Sequence, residues 1–169
     1  YAAFHRAVHH GGQPTVLRSY GVRRMSQPAQ VDANTLFAIG STTKAFTSAV
    51  LATLVDEGKL TWDTNVSDVL PGFKLQDAYA SSEMTVRDLL VHRSGLGLGA
   101  GDLLFYPPPS DRTRAEIVHS LRYIKPASSF RSTFAYSNMM YLVAGEVIKA
   151  VGGASWEEAV RQRIFAPLQ

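Results

Sequence analysis

Leu36-Phe37-Ala38-Ile39-Gly40-Ser41-Thr42-Thr43-Lys44-Ala45-Phe46-Thr47 is the stretch of this 169-residue chain on which the fold turns. Its first four residues read as a short buried strand or extended segment ending at Gly40. From Ser41 the apolar residues Ala45, Phe46, Ala49, Val50, Leu51, Ala52, Leu54 and Val55 predict one helix over 41–57. Gly58 is its natural stop. Apolar side chains fall on nearly every face, so a central, buried helix is expected.

The spacing of Ser41 and Lys44 carries the first chemical signal. Residues i and i+3 share a helix face. A serine at a helix start lies near free backbone N–H groups that can stabilise a developing oxyanion. The helix dipole favours negative charge there. A lysine withdrawn from water gives up its proton more readily, which makes Lys44 a candidate acceptor for the serine proton. The alternative is that Ser41 only caps the helix and Lys44 is a solvated side chain. With 15 serines and 5 lysines, about 0.4 such pairs arise by chance, so the spacing alone is weak. Context strengthens it: a lysine in the first turn opposes the dipole, and the turns after it are almost wholly apolar.

Outward from this helix, 1–22 predicts a β-hairpin: a strand over 2–8, the turn cluster His10-Gly11-Gly12-Gln13-Pro14, and a return over 15–22. A second helix is expected over 85–92 with Thr85 as N-cap and Asp88 one turn on. Gly95, Gly97, Gly99 and Gly101 mark a flexible loop, and Pro107-Pro108-Pro109 a rigid extended stretch. Thr113 and Glu116 form a capping box for a helix to about Tyr123. A strong helix pattern over 137–151 ends at Gly152-Gly153. Ser155 and Glu158 supply a capping box for the last helix. No repeat, low-complexity tract or domain linker is present, and the length fits one domain or most of one.

Composition narrows the function classes. There is no cysteine, which excludes disulfides, thiolate zinc sites, iron–sulfur clusters and a cysteine nucleophile. The 46% apolar and 18% charged fractions predict a folded chain. No apolar run reaches the roughly 18 residues of a membrane helix. The net charge of +3 is scattered, and its densest cluster, Arg23-Arg24, is too small for a nucleic-acid footprint. His5, His9, His10 and His119 show no zinc-ligand spacing, and no Walker loop surrounds Lys44.

Tyr136-Ser137-Asn138, at the start of another helix pattern, is the second chemical signal. A phenol beside a lysine can be held partly ionised and act as a general base. Asparagine offers both a donor and an acceptor. About 0.12 Tyr-x-Asn matches are expected by chance. The alternative is a packed tyrosine ahead of a helix cap. In a third feature, Leu89-Leu90-Val91-His92-Arg93-Ser94-Gly95-Leu96, one reading makes His92 a catalytic base, but Ser94 lacks the Gly-x-Ser-x-Gly elbow. The stretch reads as a helix end, with basic residues facing the last carbonyls and Gly95 as terminator.

Residues 36–47 closely resemble the nucleophile region of the serine β-lactamase and penicillin-binding-protein superfamily. The likeness is greatest to the branch of class C β-lactamases, D-alanyl carboxypeptidases, D-aminopeptidases and related esterases. Glu57-Gly58-Lys59-Leu60, 89–96, Tyr136-Ser137-Asn138 and Ile164-Phe165-Ala166-Pro167-Leu168 fall in that family's order. The resemblance implies an α/β (α+β) serine hydrolase fold. Within 1–169 it implies a partial domain, with N-terminal strands in 1–40 and a mainly helical region in 41–169. It implies Ser41 as acylated nucleophile, Lys44 as the group that takes or relays its proton, and Tyr136 as general base and acid. Asn138 would orient the lysine or bind the substrate amide, and the Ser41 N–H would supply half of an oxyanion hole. The 92–96 loop would be mainly structural.

One departure matters. The family's third motif, Lys-Thr-Gly or His-x-Gly on a late strand, does not follow Asn138 here, nor do the last strands of the sheet. The chain is therefore expected to be the N-terminal part of such an enzyme, completed by its own C-terminal half or by a second chain. The implied substrate is a small acyl compound: an ester, a β-lactam or a D-amino-acyl amide. No metal or organic cofactor is implied, and the resemblance points to an exported or periplasmic setting. The rival reading is a non-catalytic penicillin-recognising module that binds cell-wall peptides or a protein partner.

Overall fold

The computed structural model describes residues 3–106 and 110–168, in two compact units, 1–40 and 41–169. The expectation at Pro107-Pro108-Pro109 lies outside the described residues, as does the predicted start of the first strand at Ala2.

The first unit is built on an antiparallel hairpin of β1 (Phe4–His10) and β2 (Gln13–Tyr20). Gly11 and Gly12 both take positive φ (60° and 77°), the geometry that joins two strands without splaying them. The register pairs Phe4 with Tyr20 and Ala7 with Leu17, and it shifts by a bulge between Val8 and His9. The Phe4 and Tyr20 rings stack at 4.6 Å. Of the two forms expected for residues 36–39, a buried strand or an extended segment, the strand is not found. These residues form neither helix nor strand, and Leu36, Phe37 and Ile39 are exposed, Leu36 at 96%. Four apolar residues do not make a strand without a ladder partner, and among the described residues the sheet contains only β1 and β2.

The second unit is helical. A 3₁₀ turn over Gly40–Thr42 leads into α1 (Thr43–Asp56). Short helices follow: α2 (Val66–Val69), α3 (Ala78–Glu83) and α4 (Val86–Leu90). After α5 (Arg114–Ser120) come the long α6 (Asn138–Gly152) and α7 (Trp156–Val160). The central helix is α6. It lies against α1, α2, α4, α5 and α7, and buries Met139, Met140, Val143, Ala144, Val147 and Ile148 completely. Each of the methionine, valine and isoleucine side chains among these contributes about 1.5–3 kcal/mol of transfer free energy.

The sequence predicts an α1 buried on nearly every face; within this chain α6 is the more fully buried of the two. Only Thr47, Val50, Leu51 and Leu54, the i, i+3, i+4, i+7 stripe, are buried on α1. Phe46 and Val55 flank that stripe and are partly buried against the same core, while Ala45, Ala49 and Ala52 add apolar character without large groups.

Capping chemistry matches the sequence in two of three places. Thr85 with Asp88, and Thr113 with Glu116, form reciprocal capping boxes. Ser155 accepts the Glu158 N–H, but Glu158 does not reciprocate. Its carboxylate accepts from Arg161 at 2.7 and 2.6 Å instead. A guanidinium offers two charge-assisted bonds where a backbone N–H offers one. The one-turn helices α2 and α3 are too short to show a period. Among the described residues no helix is long and apolar enough to cross a membrane.

Candidate active site

The N-termini of α1 and α6 meet. Ser41 lies in the 3₁₀ turn ahead of α1, and Lys44 is the second residue of the helix. Tyr136 precedes α6, Ser137 is its N-cap, and Asn138 is its first residue. Ser137 is buried and accepts the Met140 N–H, so the cap fixes the chain entering α6.

All four residues singled out from the sequence converge. The Tyr136 hydroxyl donates to Ser41 Oγ at 2.5 Å. Lys44 Nζ donates to the same Oγ at 3.2 Å and to Asn138 Oδ1 at 2.7 Å. The ammonium also lies 4.6 Å from the centre of the Tyr136 ring and 5.1 Å from that of Tyr141. Contacts of this kind between cation and aromatic face are attractive. Ser41 is exposed, so a ligand could reach its hydroxyl, whereas Lys44, Tyr136 and Asn138 are half-buried.

The electrostatics of the cluster act on the phenol. Hydrogen bonding to Lys44, then to Ser41, holds Tyr136 below the usual tyrosine range, and the charge on Lys44 adds to this. Partial burial and the Asp102 carboxylate act in the other direction. The net effect makes the phenol easier to ionise, the direction in which a tyrosine becomes a better proton acceptor.

Three contributors were not legible as site residues. Asp102 Oδ2 accepts from Asn138 Nδ2 at 3.0 Å, which turns the amide so that its oxygen faces Lys44. Its other oxygen, Oδ1, is buried without a partner. Asp102 is placed by Gly101 (φ 89°), where an added Cβ would come within 2.7 Å of Met139 Cγ. A glycine before an aspartate was the available signal, hidden within a loop of four glycines. Tyr141, one turn into α6, faces Lys44 and donates to the Leu90 carbonyl at 3.1 Å. His92 stacks on Tyr136 with ring centres 4.5 Å apart.

The 92–96 loop braces the segment that carries Tyr136. Ala135 N–H donates to the His92 carbonyl at 2.8 Å, Arg131 N–H to the Arg93 carbonyl at 2.8 Å, and Ala127 N–H to the Gly95 carbonyl at 2.9 Å. The Arg131 guanidinium bonds Asp88, the same carboxylate that closes the capping box of α4.

Comparison with known proteins agrees with this architecture. The family model described as Beta-lactamase matches residues 5–169. Unguisins hydrolase ungD' of Aspergillus campestris (strain IBT 28561) is 34% identical over 166 residues, covering 93% of this chain and 30% of that protein. Penicillin-binding protein 4 of Amycolatopsis lactamdurans is 32% identical over 148 residues, covering 88% of this chain and 38% of its own. The D-amino acid amidase of Ochrobactrum anthropi SV3, solved with D-phenylalanine, superposes with a TM-score of 0.75 at 32% identity. That match covers 93% of this chain and 42% of the amidase. The chain thus spans between a quarter and a half of the length of these relatives.

Proposed function

The chain belongs to the beta-lactamase family, and on that premise we propose that Ser41 is the nucleophile of a serine hydrolase working through an acyl-enzyme. The observation that carries this reading is the shared hydrogen bonding of one exposed hydroxyl: Ser41 Oγ is held by both Tyr136 and Lys44. A serine that served only as a cap would instead bond backbone N–H groups of its helix.

In the proposed reaction the Tyr136 phenolate takes the Ser41 proton as Oγ attacks the substrate carbonyl carbon. Lys44 eases ionisation of the phenol and keeps the hydroxyl aimed. The tetrahedral intermediate collapses, the leaving group takes the proton from Tyr136, and the acyl group remains on Oγ. Water, activated by the same tyrosine, then releases the acid. Asn138 holds Lys44 through its amide oxygen. The substrate is an ester, a β-lactam or a D-amino-acyl amide. The amidase and penicillin-binding relatives favour amide-like carbonyls among these.

The test uses the full-length protein and a fluorophosphonate probe, read by intact and peptide mass spectrometry. One adduct on the peptide containing Ser41 is expected, and none in Ser41→Ala. An adduct of equal yield in Ser41→Ala would place the nucleophile elsewhere and end the proposal.

A further inference from the structure

We propose that His92 is a positioning residue: its imidazole holds the Tyr136 phenol against Ser41 from behind. The inference rests on Ser41 being the nucleophile, and it gives a role to a motif that otherwise reads as a helix end.

His92 does not use its side chain to cap α4. Its Nδ1 accepts the Ser137 N–H at 3.1 Å, the backbone donor directly after Tyr136. Its carbonyl accepts the N–H of Ala135, directly before Tyr136. One residue therefore grips the tyrosine's chain on both sides. The ring itself lies flat against the Tyr136 ring, tilted by 29°, and meets Phe134 edge-on at 5.5 Å. Tyr141 closes the stack from α6 at 5.4 Å. The phenol thus has an aromatic plate behind it and Ser41 in front.

The grip imposes two conditions on His92. Its backbone sits at φ 57°, the left-handed region that few residues other than glycine, asparagine, aspartate and histidine enter readily. Nδ1 must also be an unprotonated acceptor, which puts the proton on Nε2 and leaves the ring neutral. Burial, and then the nearby Lys44 charge, hold the imidazole below the usual histidine range and keep it in that form. The ionisable groups that face it are Lys44 from α1, Tyr136, and Tyr141 from α6.

Two substitutions separate acceptor from plate. In His92→Asn the amide oxygen stands near the position of Nδ1, and asparagine tolerates the left-handed backbone. In His92→Phe the plate remains and the acceptor is lost. Full-length wild type and both variants are acylated with the fluorophosphonate probe, and kinact and KI are measured separately, with thermal unfolding recorded alongside. His92→Phe should lose roughly ten- to hundredfold in kinact with KI unchanged, the scale of a displaced reacting group. His92→Asn should lose less than His92→Phe, since it preserves the acceptor and the left-handed backbone and gives up only the plate.

Because the phenylalanine variant bears the strained backbone, ¹⁵N NMR of the wild-type imidazole gives an independent reading, with Nε2 protonated and Nδ1 bare. Wild type that is not labelled at Ser41 would remove the hydrolase reading. Labelled wild type with an unchanged kinact in His92→Phe would overturn the positioning role alone. A proton found on Nδ1 would overturn it equally.

Discussion

Ser41 and Ser137 both stand just ahead of a long helix, and the chain uses them in opposite ways. Ser137 is buried and caps α6 through the Met140 N–H. Ser41 is exposed, α1 has no side-chain cap, and its hydroxyl instead receives bonds from Tyr136 and Lys44. The same side chain at the same kind of place thus caps a helix in one case and, in the function proposed above, is the nucleophile in the other. What distinguishes them is the company: Lys44 one turn on and Tyr136 across the junction.

That contrast can be broken by substitution. The largest effect is expected at Ser41. Ser41→Ala in the full-length protein should lower hydrolysis of a p-nitrophenyl ester by on the order of 10⁶, as removal of the nucleophile of a coupled cluster does. Its melting temperature should stay near that of wild type. A rate close to wild type in this variant would erase the distinction between the two serines.

The next effect is on Tyr136. Lys44→Met removes the ammonium that lowers its pKa, so the phenol should ionise at higher pH, nearer the ordinary tyrosine value of about 10. The acid limb of any residual rate should move the same way, because the proposed reaction runs through the phenolate. Tyrosine-selective ¹³C NMR across a pH series reads the shift directly; an unmoved resonance would show that Lys44 does not tune the phenol.

Asp102→Ala frees the Asn138 amide to turn away from Lys44. A roughly tenfold loss of kcat is expected, the scale of one charge-assisted hydrogen bond. Steady-state kinetics should leave KM little changed.

The smallest effect is the mirror image of the first. Ser137→Ala should cost about 1 kcal/mol of stability, as loss of an N-cap does. Its signature is a lower melting temperature, with fluorophosphonate labelling of the folded protein retained. If Ser137→Ala abolished labelling at an unchanged melting temperature, the two serines would have exchanged roles.

Much of this was legible in the sequence. The hairpin turn at Gly11-Gly12, the Thr85 and Thr113 caps, and the end of α6 at Gly153 are written in local chemistry, which a single sequence carries. Ser41 and Lys44 were legible because a lysine in an apolar first turn is a local anomaly, and Tyr136 and Asn138 through the Tyr-x-Asn spacing and its resemblance to the serine β-lactamase superfamily. What stayed hidden depends on neighbours far along the chain. How fully α1 and α6 are each covered depends on which elements pack on them, and a single sequence does not carry that pairing. Leu36, Phe37 and Ile39 read as a strand because an apolar run looks the same with or without a partner. His92 and Asp102 act through residues 45 and 36 positions away, beyond the reach of any spacing rule.

The bond from Lys44 to Asn138 joins residues 94 positions apart. Bringing the ends of a flexible loop of that length together costs ~4 kcal/mol beyond a fixed term. The junction of α1 and α6 therefore gains nothing from local helix formation, and its order in time differs from that of the helices themselves. During refolding, helical circular dichroism should recover before Ser41 becomes reactive. A covalent probe of that hydroxyl then serves as a clock for the last long-range closure, counting only molecules in which both ends have met.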